Sequence, residues 1–317
     1  MHRPSPSIPS RRLALVVALG LACLPLDVGA DAGDEPVIEE LRLPGVRLEL
    51  QFDPRFDAAA RHALRHWIES AALTVSAYFA RFPLPAVELS VRPAPRAGVH
   101  SGTAFAEPQP YLRLNVGPGT TPEQLRADWV LVHEMVHLAL PRLAPEHAWF
   151  HEGTATYVEA VARTRRGLVR PEQLWGGLAA GMPRGQPFDG DRGLDHTPTW
   201  GRTYWGGAMF CLLADVQIRQ RSGGSQGLQQ ALQGVLAAGG NYAQSWSLEQ
   251  LLRVADAAVG QTCLAELHAL MKDSPAPVEL DALWRDLGVR PRGLGAASLR
   301  ADAPLAALRR AIESAAP

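Results

Sequence analysis

Two histidines four residues apart, with a glutamate directly after the first, are the side chains of this sequence best placed to do chemistry. They are His133, Glu134 and His137, and almost all of their neighbours are apolar. Residues four apart in an α-helix lie on one face, about one turn apart, so both imidazole rings can reach a single point. Two such rings are common ligands of zinc. The spacing therefore predicts a zinc site on a helix, with His133 and His137 as ligands.

Glu134 is expected to act on the reaction rather than to bind the metal. A carboxylate beside a zinc site can take a proton from the water that zinc activates, and can later pass it to a leaving amine. Burying two imidazoles and a carboxylate in an apolar helix without partners would cost several kcal/mol. The alternative is a pair of core histidines that donate to backbone carbonyls, with Glu134 at the helix edge.

A zinc site of this kind needs a third protein ligand. The third histidine of an HExxHxxGxxH site would fall at position 143, which is Leu143, so that pattern is excluded. The residue types leave five downstream candidates, namely Glu146, His147, His151, Glu152 and Glu159.

The segment 149–159 resembles the second zinc helix of a known peptidase group. It reads W-x-x-E-G-x-A-x-Y-x-E, with Trp149 first and Glu152 at the first acidic position. This pattern is similar to that of the gluzincin zinc metallopeptidases, the aminopeptidase N and glycyl aminopeptidase group also called peptidase MA-like. The resemblance implies that Glu152 is the third zinc ligand. It also implies a zinc-dependent peptidase that hydrolyses peptide bonds, with Glu134 as general base.

Other residues near Glu152 are candidates for supporting roles. Thr156 and Glu159 share its helix face, at i+4 and i+7. Either could orient a ligand histidine, and ordinary solvent contacts are the equal alternative. Fourteen residues lie between His137 and Glu152. This is fewer than in relatives of aminopeptidase N, which implies a tighter loop between the zinc helices.

A second matching segment begins at Tyr204, where the sequence reads Y-x-x-G-A with Gly207 and Ala208. In the same group, the tyrosine hydroxyl faces the zinc and stabilises the oxyanion of the tetrahedral intermediate. The resemblance therefore implies Tyr204 as the oxyanion donor, a role typically worth a few kcal/mol in the transition state. The alternatives are an aromatic packing residue at a helix start, or His196 as a substitute donor.

One segment departs from the group's pattern. Aminopeptidase N relatives hold the substrate's free amine with the acidic residue of a G-x-M-E-N segment, whereas residues 102–107 read G-T-A-F-A-E. Glu107 could still meet an amine, and the alternative is an exposed loop carboxylate. The strand predicted at 111–116 could instead bind an extended peptide by backbone pairing. Aminopeptidase and endopeptidase action both remain open.

Hydrophobic periodicity and chain breakers predict the elements that must position these side chains. Strands are expected at 41–52, 87–91, 102–106 and 111–116, and helices at 56–82, 121–140, 149–166, 205–221, 226–238, 247–258 and 261–272. We therefore expect an α+β, zincin-like fold, in which a mixed β-sheet N-terminal layer precedes a mostly helical C-terminal half.

The expected domain organisation follows the same order. A single peptidase domain should cover 31–290, with a β-rich layer at 31–120, the zinc helices at 121–166 and a helical part at 200–290. The remaining tail, 291–317, contains one short predicted helix at 304–314, which we expect to pack weakly.

The first thirty residues have the pattern of a secretory signal peptide. Arginines precede an apolar run at 13–26, and small or short side chains follow. The run is shorter than the roughly 20 residues that span a bilayer, so a permanent anchor is the weaker interpretation. A lipoprotein acylated at Cys23 is another alternative, although Gly20 stands where such signals usually carry Leu. We expect cleavage after residue 30 and export to the periplasm or the cell exterior.

The composition narrows the possible partners. The chain has 317 residues, of which 31 are Lys or Arg and 32 are Asp or Glu. This balance provides no strongly basic field for a nucleic acid or an anionic membrane. We therefore expect a peptide or protein substrate and no nucleic acid. Cys211 and Cys263 both fall in predicted helices, and one disulfide between them is possible in an exported protein.

Two other functions use the same residues. One is a non-catalytic zincin-fold protein that binds peptides or envelope proteins, and the intact Glu134 argues against it. The other is a zinc hydrolase that acts on a non-peptide amide, which would differ only in its substrate pocket.

Overall fold

The first layer of the fold is a mixed five-stranded sheet. The computed structural model describes residues 35–293 and 295–314, so the signal peptide predicted over 1–30 and Cys23 lie outside the described residues. The strands are β1 (Val37–Leu43), β2 (Val46–Phe52), β3 (Ala86–Pro93), β4 (Val99–Phe105) and β5 (Tyr111–Val116). They are arranged in the order β1-β2-β3-β5-β4.

The pairing of the strands shows which of them lie at the edges of the sheet. β1 and β2 form an antiparallel hairpin, so the single strand predicted at 41–52 belongs to two strands. β5 pairs with β3 on one side and with β4 on the other. The prediction that 111–116 binds a peptide by backbone pairing is therefore wrong, because both edges of that strand are already occupied. β4 is an edge strand of this sheet, with β1 at the opposite edge.

Helices make up most of the remaining chain. They are α1 (Ala58–Phe79), α2 (Pro122–Ala127), α3 (Val130–His137), α4 (Ala148–Arg165), α5 (Pro171–Gly181), α6 (Gly207–Arg221), α7 (Leu228–Ala237), α8 (Leu248–Val259), α9 (Cys263–Met271), α10 (Leu280–Leu287) and α11 (Ala306–Glu313). A small hairpin is formed by β6 (Val289–Pro291) and β7 (Ala297–Leu299). None of the helices in the described part combines the length and the apolar character needed to cross a bilayer. The predicted α+β class is confirmed.

The helix predicted at 121–140 is two helices. The capping box of Thr121 and Gln124 starts α2 as expected, but the backbone at Asp128 is extended, with φ −71° and ψ 147°. The Oδ1 atom of Asp128 accepts a hydrogen bond from the N–H of Val130 at 2.8 Å. A side chain that binds the backbone in this way competes with helix continuation. The zinc-site helix α3 therefore begins separately from α2.

The C-terminal tail packs more firmly than its composition predicts. In α11, Ile312 is fully buried, and Glu313 accepts a hydrogen bond from Nε1 of Trp175 at 2.6 Å. Arg165 of α4 donates to the carbonyl of Ile312 at 2.8 Å. The prediction of weak packing is wrong for this helix, because its amphipathic face finds partners on α4 and α5.

The two cysteines of the described region are not joined. Cys211 and Cys263 are both free and buried. The Sγ atom of Cys211 lies 3.5 Å from Oγ1 of Thr154, and that of Cys263 donates to Oε1 of Gln261 at 3.1 Å. The possible disulfide is therefore absent from the structure.

Candidate metal centre

The structure brings together the three side chains expected to bind zinc. α3 carries His133 and His137, and it packs against α4, which carries Glu152 in its second turn. The Nε2 atom of His133 lies 3.1 Å from Oε2 of Glu152, and that of His137 lies 3.6 Å from the same oxygen. One ligating atom from each residue lies within 4.8 Å of those of the other two.

The donor set fits a zinc ion. Two imidazole nitrogens and one carboxylate oxygen are the protein ligands of several catalytic zinc sites, in which a fourth position stays open. His133 and His137 are buried, whereas the side chain of Glu152 is 26% exposed. Burial disfavours the charge of Glu152, but the charge of His137 and hydrogen bonds from both histidines outweigh it and hold its pKa below the usual range. Glu152 is therefore an ionised oxygen donor.

The other nearby candidates for the third ligand are either bonded to other groups or exposed to solvent. His151 donates from Nε2 to the carbonyl of Pro141 at 2.7 Å, and burial lowers its pKa to about 4. Glu159 lies 3.3 Å from Nη1 of Arg163, with which it forms a buried ion pair. Glu146 is exposed to solvent. Glu152 is the candidate that reaches both histidines.

Neither Thr156 nor Glu159, the two residues considered for a supporting role, forms a hydrogen bond with Nδ1 of His133. The Nδ1 atom of the His133 ring is buried and has no hydrogen-bond partner among the described residues. Metal-binding histidines usually donate from their second nitrogen. Contacts with neighbouring rings position this one instead, since Trp129 lies edge-on to it at 5.5 Å between ring centroids.

Three further residues weighed for a role at the site have other partners. Glu107 forms an ion pair with Arg142 at 2.6 Å, and its side chain is 74% exposed. His196 lies 2.9 Å from Asp273, also at the surface. His147 belongs to a separate cluster with Asp195 and His268. Glu107 therefore has the contacts expected of an exposed loop carboxylate.

The side chain of Glu134, on the zinc-site helix α3, lies against the edge strand β4. A Cβ atom added to Gly102 of β4 would lie 2.5 Å from Cγ of Glu134 and 2.8 Å from Cγ1 of Val130. Any larger residue at position 102 would therefore displace the Glu134 side chain. Gly102 lets the strand pass directly beside this carboxylate.

Tyr204 lies close to two of the candidate ligands, His133 and Glu152. It belongs to a π-helical segment, Gly201–Gly206, that leads into α6. Its ring is nearly parallel to that of His133, with centroids 6.3 Å apart. Burial raises its pKa, and the charge of Glu152, a hydrogen bond to that carboxylate and the charge of Glu134 raise it further. Tyr204 therefore remains a protonated hydroxyl that can donate a hydrogen bond.

The position of Tyr204 depends on a close crossing of α4 and α6. A Cβ atom on Gly207 would lie 2.0 Å from the carbonyl oxygen of Trp149, and one on Gly153 would lie 2.2 Å from the carbonyl carbon of Gly207. The two backbones touch directly, so both positions require glycine. A buried ion pair between Arg202 and Asp191, at 2.8 Å, also fixes the segment that carries Tyr204.

Tyr242 is a further residue near the site that no sequence pattern indicates. It lies in the loop after α7. This loop contacts the end of the zinc-site helix through a hydrogen bond from Tyr242 N–H to the Leu138 carbonyl at 3.1 Å. Its hydroxyl donates to the carbonyl of Ala104 in β4 at 3.3 Å. Burial, followed by the charges of Glu134 and Glu152, raises its pKa. Only the tertiary structure places this hydroxyl near the two carboxylates.

No family model and no curated protein matches this sequence, but solved structures match its fold. The aminopeptidase N family protein from Idiomarina loihiensis has a TM-score of 0.60 at 15% identity, over 80% of this chain and 49% of that one. The M1 zinc metallopeptidase from Deinococcus radiodurans has a TM-score of 0.48 at 15% identity, over 77% and 54%. The chain spans about half the length of these structures. The resemblance to aminopeptidase N is confirmed for the fold.

The crossing of α4 and α6 can be tested through its glycines. Gly207→Ala is expected to lower the free energy of unfolding by about 1–3 kcal/mol, because the added methyl meets backbone rather than a movable side chain. Gly177→Ala in α5 is the matched control. Its added methyl meets no atom within 4 Å, so we expect a gain of up to about 1 kcal/mol. Urea unfolding measures both, and equal effects would contradict the close crossing.

Proposed function

We propose that this protein is a zinc-dependent peptidase that hydrolyses peptide bonds by attack of water. The observation that carries the proposal is the convergence of two imidazoles and a carboxylate on one point, with Glu134 on the same helix. The fold shared with an aminopeptidase N family protein is consistent with this chemistry. Fold by itself does not determine function, so the proposal depends on the site.

His133, His137 and Glu152 would hold the zinc ion. When bound, zinc supplies Lewis acidity, which makes water an effective nucleophile near neutral pH. Glu134 is half-buried beside the histidines and would accept the proton of the attacking water. The same carboxyl group would then return the proton to the amine that leaves. Gly102 leaves room for the side chain of Glu134 against β4.

Tyr204 would donate its hydroxyl hydrogen to the carbonyl oxygen that becomes negative during attack. Its raised pKa keeps this proton in place at neutral pH. A donor fixed before the reaction costs no reorganisation when the charge develops. The rings of His133 and Trp200, which lie nearly parallel to that of Tyr204, limit its movement.

The substrate would lie along β4. This strand lies at one edge of the sheet, and it passes directly beside Glu134 at Gly102. An extended peptide can add to such an edge through backbone hydrogen bonds. The edge strand therefore replaces β5 as the peptide-binding strand in our proposal.

The role of Glu134 is tested by Glu134→Gln. We expect turnover of a mixed peptide library to fall by roughly 10²- to 10⁴-fold, because the amide cannot accept the proton. Zinc content should remain at the wild-type level, since Glu134 is not a proposed ligand. Glu146→Gln is the control, because Glu146 is exposed and lies outside the site.

The outcomes of that assay separate the functions considered. Unchanged turnover in Glu134→Gln would remove this residue from the mechanism. A zinc-loaded wild type that binds peptides from the library but cleaves none would instead favour a non-catalytic peptide-binding protein. Cleavage of non-peptide amides alone would identify a different hydrolase.

Tyr204→Phe should lower kcat by roughly 10²- to 10³-fold with little change in KM, because the lost hydrogen bond forms with the transition state. Tyr78→Phe is a matched control, since the buried hydroxyl of Tyr78 has no hydrogen-bond partner in the described structure. Steady-state kinetics on one cleaved peptide measures both variants. Full activity in Tyr204→Phe would assign the donor elsewhere, with Tyr242 as the next residue to substitute.

We also propose that the protein is exported to the periplasm or the cell exterior. The support is the pattern of residues 1–30, in which arginines, a short apolar run and small residues follow one another. N-terminal sequencing of protein from these fractions should begin at or near Asp31. A chain that begins at an acylated Cys23 and sediments with membranes would indicate a lipoprotein. A cytoplasmic chain that retains residues 1–30 would contradict export.

A further inference from the structure

A second cluster of metal-binding side chains lies beside the start of α4. It consists of His147, Asp195 and His268, and we call it the second cluster. Nδ1 of His147 lies 3.2 Å from Oδ1 of Asp195, and Nε2 of His268 lies 3.2 Å from Oδ2 of the same residue. One ligating atom from each residue lies within 4.8 Å of those of the other two. The proposed peptidase mechanism uses none of these residues.

The second cluster joins three segments that are distant in sequence. His147 immediately precedes α4, Asp195 lies in the loop between α5 and the π-helical segment, and His268 lies in α9. The exposed fractions of the three side chains are 12%, 11% and 9%. These largely buried side chains differ from the exposed ion pairs of the surface. Burial removes their contacts with water, so they need polar partners within the protein.

A third side chain donates to the carboxylate of Asp195. Nε1 of Trp149 donates to Oδ1 at 2.7 Å and fixes the orientation of the group. Carboxylates that bind metals are commonly held by such a donor.

The second cluster repeats the donor set of the candidate metal centre. In each, one carboxylate contacts two imidazole nitrogens. Both nitrogens face the same oxygen in the first, at 3.1 and 3.6 Å, whereas in the second each faces a different oxygen of Asp195, at 3.2 Å. Ligand atoms of a tetrahedral zinc site, with bonds of about 2.0–2.1 Å, lie about 3.4 Å apart. The two contacts of the second cluster are close to this value, and its three ligating atoms all lie within 4.8 Å of one another. Three protein ligands of this chemistry suit a divalent transition metal.

We propose that His147, Asp195 and His268 form a second zinc site, separate from the candidate catalytic one. Such an ion would tie the loop at Asp195 and helix α9 to the start of α4. His147 is five residues before Glu152. The same loop carries Asp191, the ion-pair partner of Arg202 in the segment of Tyr204. A metal ion here would therefore stabilise both the start of α4, which carries Glu152, and the loop that pairs with the segment of Tyr204.

Zinc content of four purified, untagged proteins tests the second site. The wild type, Glu152→Ala, His268→Gln and the double variant are loaded with zinc, desalted and measured by inductively coupled plasma mass spectrometry. We expect about two equivalents in the wild type, one in each single variant and none in the double variant. His196→Gln is the matched control, because His196 pairs with an aspartate at the surface. It should keep both equivalents.

Thermal unfolding in the Glu152→Ala background gives a second readout. A chelator should lower the Tm of Glu152→Ala by several degrees and leave that of the double variant unchanged, because only the former retains a metal that stabilises the fold. If His268→Gln does not fold, His147→Gln takes its place, since His147 is the more exposed of the two histidines.

The possible outcomes distinguish this inference from the proposed function. One equivalent in the wild type, lost in Glu152→Ala and retained in His268→Gln, would overturn the second site and leave the peptidase proposal intact. The second cluster would then be a hydrogen-bonded trio of two imidazoles and a carboxylate. One equivalent lost only in His268→Gln would support the second site and contradict the catalytic one.

Discussion

The contact between the backbones of α4 and α6 is the constraint on which the candidate site depends. Gly153 and Gly207 let these helices approach until no side chain fits between them. Glu152 immediately precedes one of these glycines, and Tyr204 lies three residues before the other. Because the crossing is made by backbone atoms, it fixes how closely the two segments that carry Glu152 and Tyr204 approach each other. The close-packed interior around it leaves little freedom for adjustment.

The remaining motif residues of α4 serve the same packing. Tyr157 donates to the buried carboxylate of Asp215 in α6 at 2.9 Å, and that carboxylate also receives Arg219 at 2.8 Å. At the other end of the motif, Trp149 donates to Asp195. Thus the polar aromatic residues of the pattern attach α4 to its neighbours, whereas Glu152 alone is directed to the two histidines. A single helix combines a ligand with the contacts that hold it in place.

The edge strand provides the second boundary of the site. β4 passes beside Glu134 at Gly102, and Tyr242 connects the same strand to the loop that follows α7. The loop also pairs with the chain beyond α3, where Arg142 N–H donates to the carbonyl of Gln244 at 2.8 Å. The carboxylate proposed as general base is thus enclosed between a helix and a strand. The Glu134 carboxylate therefore lies close to the path that a peptide bound along β4 would take.

The sequence by itself determined the local part of this site. The spacing of His133 and His137 on one helix follows from helical geometry alone, and the alternation of apolar residues was enough to predict most strands and helices. Resemblance to a motif indicated Glu152 and Tyr204 before any fold was known. Only the tertiary structure decided that β4 rather than β5 is the edge strand, that Tyr242 approaches the site, and that His147 meets Asp195 and His268. These features join segments far apart in the chain, and local periodicity carries no information about which distant segments will meet.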